Sequence, residues 1–578
     1  MAARLTTYVV VAIVAATLIA GLIVGAQRGD SEGPVDLIVF NARVYAADAS
    51  AGMGEAVAIR GNQILRVGSD REIERLRRPQ TVMVDARGAA VVPGFNDADV
   101  EFVHGALGLE GVDLLGAATV DEAQSRVSAW ADANPLRPWV IGRGWSSEMF
   151  PGAAPAKQLL DAAVADRPAY MLSMDGRTAW INTKALRLAQ ITRGTTSPVN
   201  GVIEKDSRTG EPTGLLKGTA VALARRLVPA PTREEGARRL RLAISEAHEN
   251  GITSVQDAVV GPDEFALYEQ AREADELSLR VYSSIAVRAG ATAEDFSTLE
   301  TLSSKYPDDP LFKLGGARIV LDGPVESSEA ALLEPYTGMS AAHSGDTSIG
   351  PDELNRLVRL LDARRWQVTT EAFGDRAVRM ALTAYEHAVR SNPKPERSRR
   401  HRIGHLALVQ PEDLPRFGPL GVISVLRPYE ARPAPGRVDA WIDAVGENRA
   451  ARAWPAGSIA AAKGRVVFGT GWPTAPLSPL AAIRAAVNRS DEMAPEETWN
   501  PAESMALKRA IDAFTLAPAY ASFDEQRKGS LKPGMLADLV VLSNDIFSAP
   551  ASRLSSTRVA VTIFDGKIVY RRDAKSTD

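Results

Sequence analysis

The sequence contains no cysteine at all. Disulfides, thiolate metal ligands, a cysteine nucleophile and a lipidated N-terminal cysteine are therefore excluded. Histidine is scarce, with six in 578 residues, so any site built on several imidazoles would use most of the supply. An excess of one charge is also missing. Sixty-seven Lys and Arg stand against 71 Asp and Glu, for a net charge of −4. That balance gives no support to nucleic acid as a partner, which calls for a clustered basic surface. Neither a GxSxG nucleophile elbow nor a GxxxxGK[ST] phosphate loop occurs, which removes two other familiar chemistries. What is present is ordinary globular material, 45% hydrophobic and 24% charged. It is enough for a sizeable core in a chain long enough for several domains.

One long apolar run stands out. Tyr8 to Ala26 is 19 residues without a charge, with Arg4 before it and Arg28, Asp30 and Glu32 after it. Its length suits a membrane-crossing helix. A cleaved signal peptide is the alternative, with Val24 and Ala26 as small residues before Gln27. Arg4 belongs on the cytoplasmic side under the positive-inside rule. The expectation is a bacterial-type inner-membrane protein, single-pass, with its N-terminus inside and its bulk on the periplasmic side. The membrane itself, through residues 8–26, and a membrane-protein complex are then the expected partners.

After a polar linker, DLIVFNARVYA, AVAIRGNQILRVG and TVMVDARGAAVVPGF read as strands, with a turn at Gly61-Asn62. At the far end LADLVVLSND and the hairpin RVAVTIFDGKIVYR around Asp565-Gly566 match them. Between these ends, strands alternate with helices. The candidate strands are VVPGFNDADV, GITSVQDAV, LRVYSSIAV, GGARIVLDG, WQVTTEAFGD, RIGHLAL, GVISVLRP and RVVFGTGWP. A helix is expected over Pro351–Arg365, where Leu354, Leu357, Val358 and Leu361 form one apolar stripe. Strands alternating with helices in this number predict an α/β fold, a (β/α)8 TIM-type barrel with its chemistry at the C-terminal strand ends. The division expected is residues 1–30 as anchor or signal segment and 31–92 with 520–578 as a composite β-sandwich. Residues 93–104 with 236–519 form the barrel, and 105–235 an inserted α/β subdomain, since the gap after the first strand is far too long for one connection.

Several phrases, in order, resemble the amidohydrolase superfamily, in particular the branch typified by N-substituted formamide deformylase. They are PGFNDADVEF at 93–102, GRGW at 142–145, DGRTAWINTKAL at 175–186, GITSVQDA at 251–258 and LDGPVESSEAALLEPY at 321–336. AFGDRAV at 372–378, RHRIGHLALV at 400–409, FGTGWPTAPLSPL at 468–480 and GSLKPGMLADLVVLS at 529–543 complete the series. The resemblance implies a metal site of HxH on the first strand, a lysine on the fourth, histidines on the fifth and sixth, and an aspartate on the eighth that also shuttles protons. A cation held there would make hydroxide available near neutral pH.

This chain departs from that pattern at most of those places. The HxH slot reads Asp99-Val100-Glu101, the lysine slot holds Arg318, the fifth-strand slot holds Glu371, and the eighth-strand slot is Gly471. His405 survives on the sixth strand, although Gly404 replaces the usual Glu before it. The flanking words pin this register. Arg318 stays protonated and offers no lone pair to a metal, and Gly471 removes both a ligand and the proton-transfer group. An Arg–carboxylate cluster in the former metal cavity is the expected arrangement, with Arg177 and Arg427 available to help. Further pocket candidates are Asp175, Trp145 and Trp472. Asp257 either holds the fold or touches ligand, and Asp97 and Asp322 are the nearest acids that could substitute at the eighth strand.

The resemblance with these departures implies a catalytically inactive family member, without a metal cofactor, that binds a small-molecule ligand or serves as an accessory subunit. The alternative is a hydrolase of non-peptide C–N (amide) bonds with one divalent metal such as zinc on Asp99, Glu101, Glu371 and His405. A metal-free acid–base enzyme is the third reading. The basic stretch KPERSRRHR at 394–402 reads as a solvated loop.

Overall fold

Eight parallel strands alternate with helices along the middle of the chain. They are β1 (Phe95–Val100), β2 (Ile252–Asp257), β3 (Arg280–Ala286), β4 (Phe312–Val320), β5 (Gln367–Ala372), β6 (Arg402–His405), β7 (Ile423–Leu426) and β8 (Arg465–Phe468). Each lies beside its sequence neighbours in one sheet. The structure, a computed structural model, describes residues 34–48, 52–150, 154–174, 176–339, 343–433, 436–490 and 496–572. The eight-strand sheet curls until its ends meet just past β8. Gly471 N donates to Asp99 O at 3.0 Å, and Glu101 N donates to Trp472 O at 2.9 Å. The result is a nearly closed barrel of the TIM type.

The helices follow from their sequence pattern. In the helix Pro351–Ala363, Pro occupies the first turn with Asp352 and Glu353, where a missing N–H and negative charge are both tolerated. Leu354, Leu357, Val358 and Leu361 are all buried on one face. That stripe and its equivalents on the other helices pack on the outward residues of the strands, forming the main core. Inside the barrel a smaller apolar layer of Ala98, Ile423, Val425 and Val467 fills the lumen below the site.

Two further sheets flank the barrel. A six-stranded sheet runs in the order Gly201–Lys205, Pro212–Gly218, Thr178–Ile181, Ala169–Ser173, Val140–Trp145, Val112–Asp113, all of it between β1 and β2. Strands from both chain ends meet in a five-stranded sheet that places Arg43–Val44 and Ala90–Pro93 beside Leu539–Leu542, Val559–Phe564 and Lys567–Arg571. It faces a four-stranded sheet built from residues 37–85, with Val39, Ile59, Val91, Leu539 and Ile563 buried between them. Asp565 (φ 50°) and Gly566 (φ 78°) turn the last hairpin in the left-handed conformation that a two-residue turn demands. The buried Arg280 at the start of β3 ties this sandwich to the barrel, reaching Asp538 at 2.6 Å and Asp565 at 2.7 Å.

The expected single-pass inner-membrane placement is corrected. Among the described residues no helix is long and apolar enough to cross a membrane. The run at residues 8–26 on which that expectation rested lies outside the described residues.

Candidate functional site

At the C-terminal mouth of the barrel the strand ends bring seven ionisable side chains into one connected path. Asp99 in β1 and Glu101 just past its end both reach the mouth, Asp99 against Arg427 and Glu101 against Arg318. Arg318 comes from β4, Glu371 from β5 and His405 from the end of β6. Arg427 follows β7 directly and Glu430 lies in the short 3-10 turn Pro428–Ala431 after it.

Charges alternate along the path. Glu101 Oε1 lies 3.3 Å from Arg318 Nη1, and Arg318 Nη2 pairs with Glu371. Glu371 Oε1 lies 3.7 Å from His405 Nε2, whose Nδ1 lies 3.5 Å from Glu430 Oε2. Glu430 Oε1 is 3.5 Å from Arg427 Nη1, and Arg427 Nε donates to Asp99 Oδ2 at 2.7 Å. Every acid thus sits beside a base. The His405 ring also stacks on Phe373, with centroids 3.8 Å apart. Asp99, Arg318, Glu371, His405 and Arg427 are buried, whereas Glu430 keeps 21% and Glu101 32% of its side-chain surface at the mouth.

Burial by itself would neutralise these groups. In Glu371 burial pushes the carboxyl up, but Arg318, His405 and Arg427 together hold it well below the usual range. Glu430 is likewise lowered, because His405 and Arg427 outweigh its burial. Burial and Arg427 push His405 down, yet Glu430 and Glu371 raise it above its ordinary value. Arg318 and Arg427 are both raised against burial, the former chiefly by Glu371 and the latter by Asp99 and Glu430.

Gly471 and Arg427 share one space. Gly471 adopts φ +76°, a conformation that L side chains rarely take. A Cβ there would lie 2.7 Å from Arg427 Cδ and 3.1 Å from its Nε. The Arg427 side chain therefore runs through the space that an acid on β8 would enter. A divalent metal does not fit this donor set. Two guanidiniums with no lone pair stand among the carboxylates, and both nitrogens of His405 already face carboxylates. Among the described residues no group of three or more His, Asp or Glu is arranged to hold a metal ion.

The remaining candidates do different work. Arg177, on the inserted sheet's side of the mouth, pairs with Glu329 of the loop after β4. Trp145 is buried in the inserted subdomain, its Nε1 donating to Met171 O at 2.9 Å and its ring edge-on to Phe150 and Trp180. Trp472 is buried against Phe102, with the Arg143 guanidinium 5.4 Å from its ring centre. Asp175 lies outside the described residues.

Three buried aspartates hold the backbone of the mouth. Asp257 accepts from Phe102 N at 3.2 Å, Val103 N at 3.3 Å and Tyr268 Oη at 2.7 Å, capping the helix after β1. Asp322 takes the N–H groups of Ala331, Phe373 and Gly374 at 2.8–2.9 Å. Asp97 takes Thr470 N at 2.9 Å and Thr470 Oγ1 at 2.5 Å across the barrel seam. Burial pushes Asp97 and Asp257 up to about 7 and Asp322 to about 6. The oxygens of Asp322 are engaged by backbone N–H groups, and those of Asp97 by backbone N–H groups and the Thr470 hydroxyl. Sequence reasoning missed Glu430, which joins His405 to Arg427. The available signal was its i, i+3 spacing from Arg427 across Pro428 on a tight turn.

Comparison with known proteins agrees with this architecture. Protein LONG AFTER FAR-RED 3 of Arabidopsis thaliana is 28% identical over 546 residues, covering 93% of this chain and 91% of that protein. N-substituted formamide deformylase of Arthrobacter pascens is 26% identical over 549 residues, covering 93% and 98%. An uncharacterized metal-dependent hydrolase from Pyrococcus furiosus matches in fold with a TM-score of 0.67 at 23% identity, over 87% of this chain and 97% of that one. The amidohydrolase family model matches residues 82–570, and the chain belongs to that family.

Proposed function

We propose that this chain is a non-hydrolytic amidohydrolase-family protein that acts by binding, as an accessory subunit with a small ligand at its barrel mouth. The alternating path from Glu101 to Asp99 carries this reading, because protein side chains supply the cations among its carboxylates. Hydrolysis of the family type needs a metal to make hydroxide near neutral pH. It also needs a group to move the proton, a contribution commonly worth roughly 10²–10⁴ in rate. Here Arg427 fills the space beside Gly471, which itself carries no side chain to move a proton. A ligand at the mouth meets the half-open Glu101 carboxylate, with His104 Nδ1 3.8 Å from it.

The rival reading is a mononuclear metal hydrolase of C–N bonds on Asp99, Glu101, Glu371 and His405. Its support is that these four donors do lie in one connected cluster. Metal content by mass spectrometry, on the full chain purified without chelators and on Glu371→Ala, separates the two. Substoichiometric metal that is equal in both proteins is expected. Near-stoichiometric zinc, manganese or iron that falls in Glu371→Ala would overturn the binding-protein reading.

A further inference from the structure

The opposite face of the barrel, where the strands begin, carries an ordered basic surface. The stretch 394–402 is a loop leading into β6, exposed at Lys394 and from Glu396 to Ser398 and buried at His401 and Arg402, and its arginines are held in order. Arg400 places its guanidinium 3.6 Å over the Tyr520 ring, and Arg465, the first residue of β8, lies 3.8 Å over the same ring. Two cations this close to one ring centre must occupy its two faces. Arg400 also lies 4.7 Å from the centre of Phe523, with Arg397 at 3.7 Å. The result is a stack of Arg465, Tyr520, Arg400, Phe523 and Arg397.

The members of the stack differ in what they have left to offer. Arg400 spends four of its five N–H groups, on Glu525 at 2.7 and 3.0 Å, Ser398 Oγ at 2.8 Å and the carbonyl of Tyr520. The two ends are exposed. Arg397 spends one nitrogen on Arg365 O at 3.0 Å. The Arg465 side chain makes no hydrogen bond or ion pair among the described residues beyond its ring contact. Arg365, Lys394 and Lys463 are exposed nearby in the chain, against Glu396 as the exposed acid of the same segments. The sandwich docks against the β2–β3 side of this floor, through Arg280 and Asp538. The stack lies on the side of β6 and β8.

We propose that this half of the barrel floor is a docking surface for an acidic segment of a partner protein. Stacking fixes a guanidinium by its face and leaves its in-plane N–H groups pointing outward. That edge is the one that matches a carboxylate in a two-pronged hydrogen bond. Because the rings already hold the outer arginines in place, binding does not have to order them, and that ordering is a principal cost of association. Nucleic acid suits the surface less well. Both faces of Tyr520 are covered, so no ring face remains for a base to stack on. A membrane suits it less well too, since none of the exposed large hydrophobic side chains falls within 394–402, 463–465 or 520–527.

Fluorescence anisotropy with the full chain tests this, using a labelled peptide of alternating Glu and Gly at near-physiological salt. An otherwise identical Gln–Gly peptide, single-stranded DNA and phosphatidylserine-containing vesicles serve as comparisons. Arg397→Glu with Arg465→Glu is expected to weaken peptide binding about tenfold, as reversing charges at a complementary surface does. Tyr520→Leu with Phe523→Leu keeps every charge but removes the stack. It is expected to weaken binding as well, with circular dichroism confirming that both variants are folded. Equal binding of the Gln–Gly peptide, no loss in the charge-reversed protein, or tighter binding of DNA or vesicles at this surface would each overturn the proposal.

Discussion

Replacing Arg318 by Met removes the central cation of the mouth while keeping most of its volume. Glu371 is then left buried, with His405 at 3.7 Å as its nearest remaining cation. Glu101 is partly exposed and can recover water, so the penalty falls on Glu371. Removing one partner of a buried ion pair typically costs about 3–5 kcal/mol. The cost must also depend on pH, with a sign that follows from the protonation states. In the parent, the pKa of Glu371 is depressed on folding. Its contribution is therefore present above the unfolded value, about 4.3, and is lost as pH falls through the folded value. In Arg318→Met, burial acts without the guanidinium, so the carboxyl pKa rises and the buried charge disappears on mild acidification. The difference between parent and variant should be largest at neutral pH and shrink toward the acid range. Urea unfolding followed by tryptophan fluorescence, repeated across that range, measures it. Adding Glu371→Gln to Arg318→Met should recover most of the loss, a coupling on the order of 2–3 kcal/mol. A cost below about 1 kcal/mol at neutral pH, no change with pH, or no recovery in the double variant would refute the idea that Arg318 neutralises this site.

Other outcomes follow from the same geometry. The pKa of His405 is raised on folding, so its stabilisation is fully present below the unfolded value, about 6.5, and is lost as pH rises through the folded value. His405→Gln should flatten the fall of Tm on the alkaline side, which differential scanning fluorimetry across pH would reveal. Gly471→Ala should cost about 1–2 kcal/mol for left-handed backbone strain, plus the displacement of Arg427. In an Arg427→Ala background the second part vanishes, so summed single costs that equal the double-variant cost in urea titration would disprove the overlap. Chelation by EDTA should leave the parent's Tm unchanged, because guanidiniums rather than a metal ion compensate the carboxylates; a fall of several degrees would contradict that. Tyr268→Phe removes one donor to Asp257 and should cost about 1 kcal/mol, read as a lower urea midpoint.

Much of the fold was legible because its signals are local. Strands such as GITSVQDAV and WQVTTEAFGD are short apolar runs bounded by turns, and the stripe on Pro351–Ala363 has helical period. Family words with fixed spacing then placed Asp99, Glu101, Arg318, Glu371, His405 and Gly471 at strand ends. The loop at 394–402 was legible as a solvated segment, but not the stack on it, because the rings of Tyr520 and Phe523 that its arginines cover lie far along the chain. Glu430 was missed because its role exists only through two residues on other elements. Trp145 and Trp472 looked like pocket residues because their words flank the site, whereas their rings are committed to packing.

The sequence by itself determined the barrel and the family, since these depend on periodicity, residue type and register. Only the tertiary structure decided which charge sits beside which. Arg427 is paired with Asp99 across the lumen, 328 positions away in sequence, and its side chain fills the space at Gly471. Pairing of that kind depends on the closure of the barrel and on electrostatics acting over a few ångströms, and no local pattern in the chain encodes it.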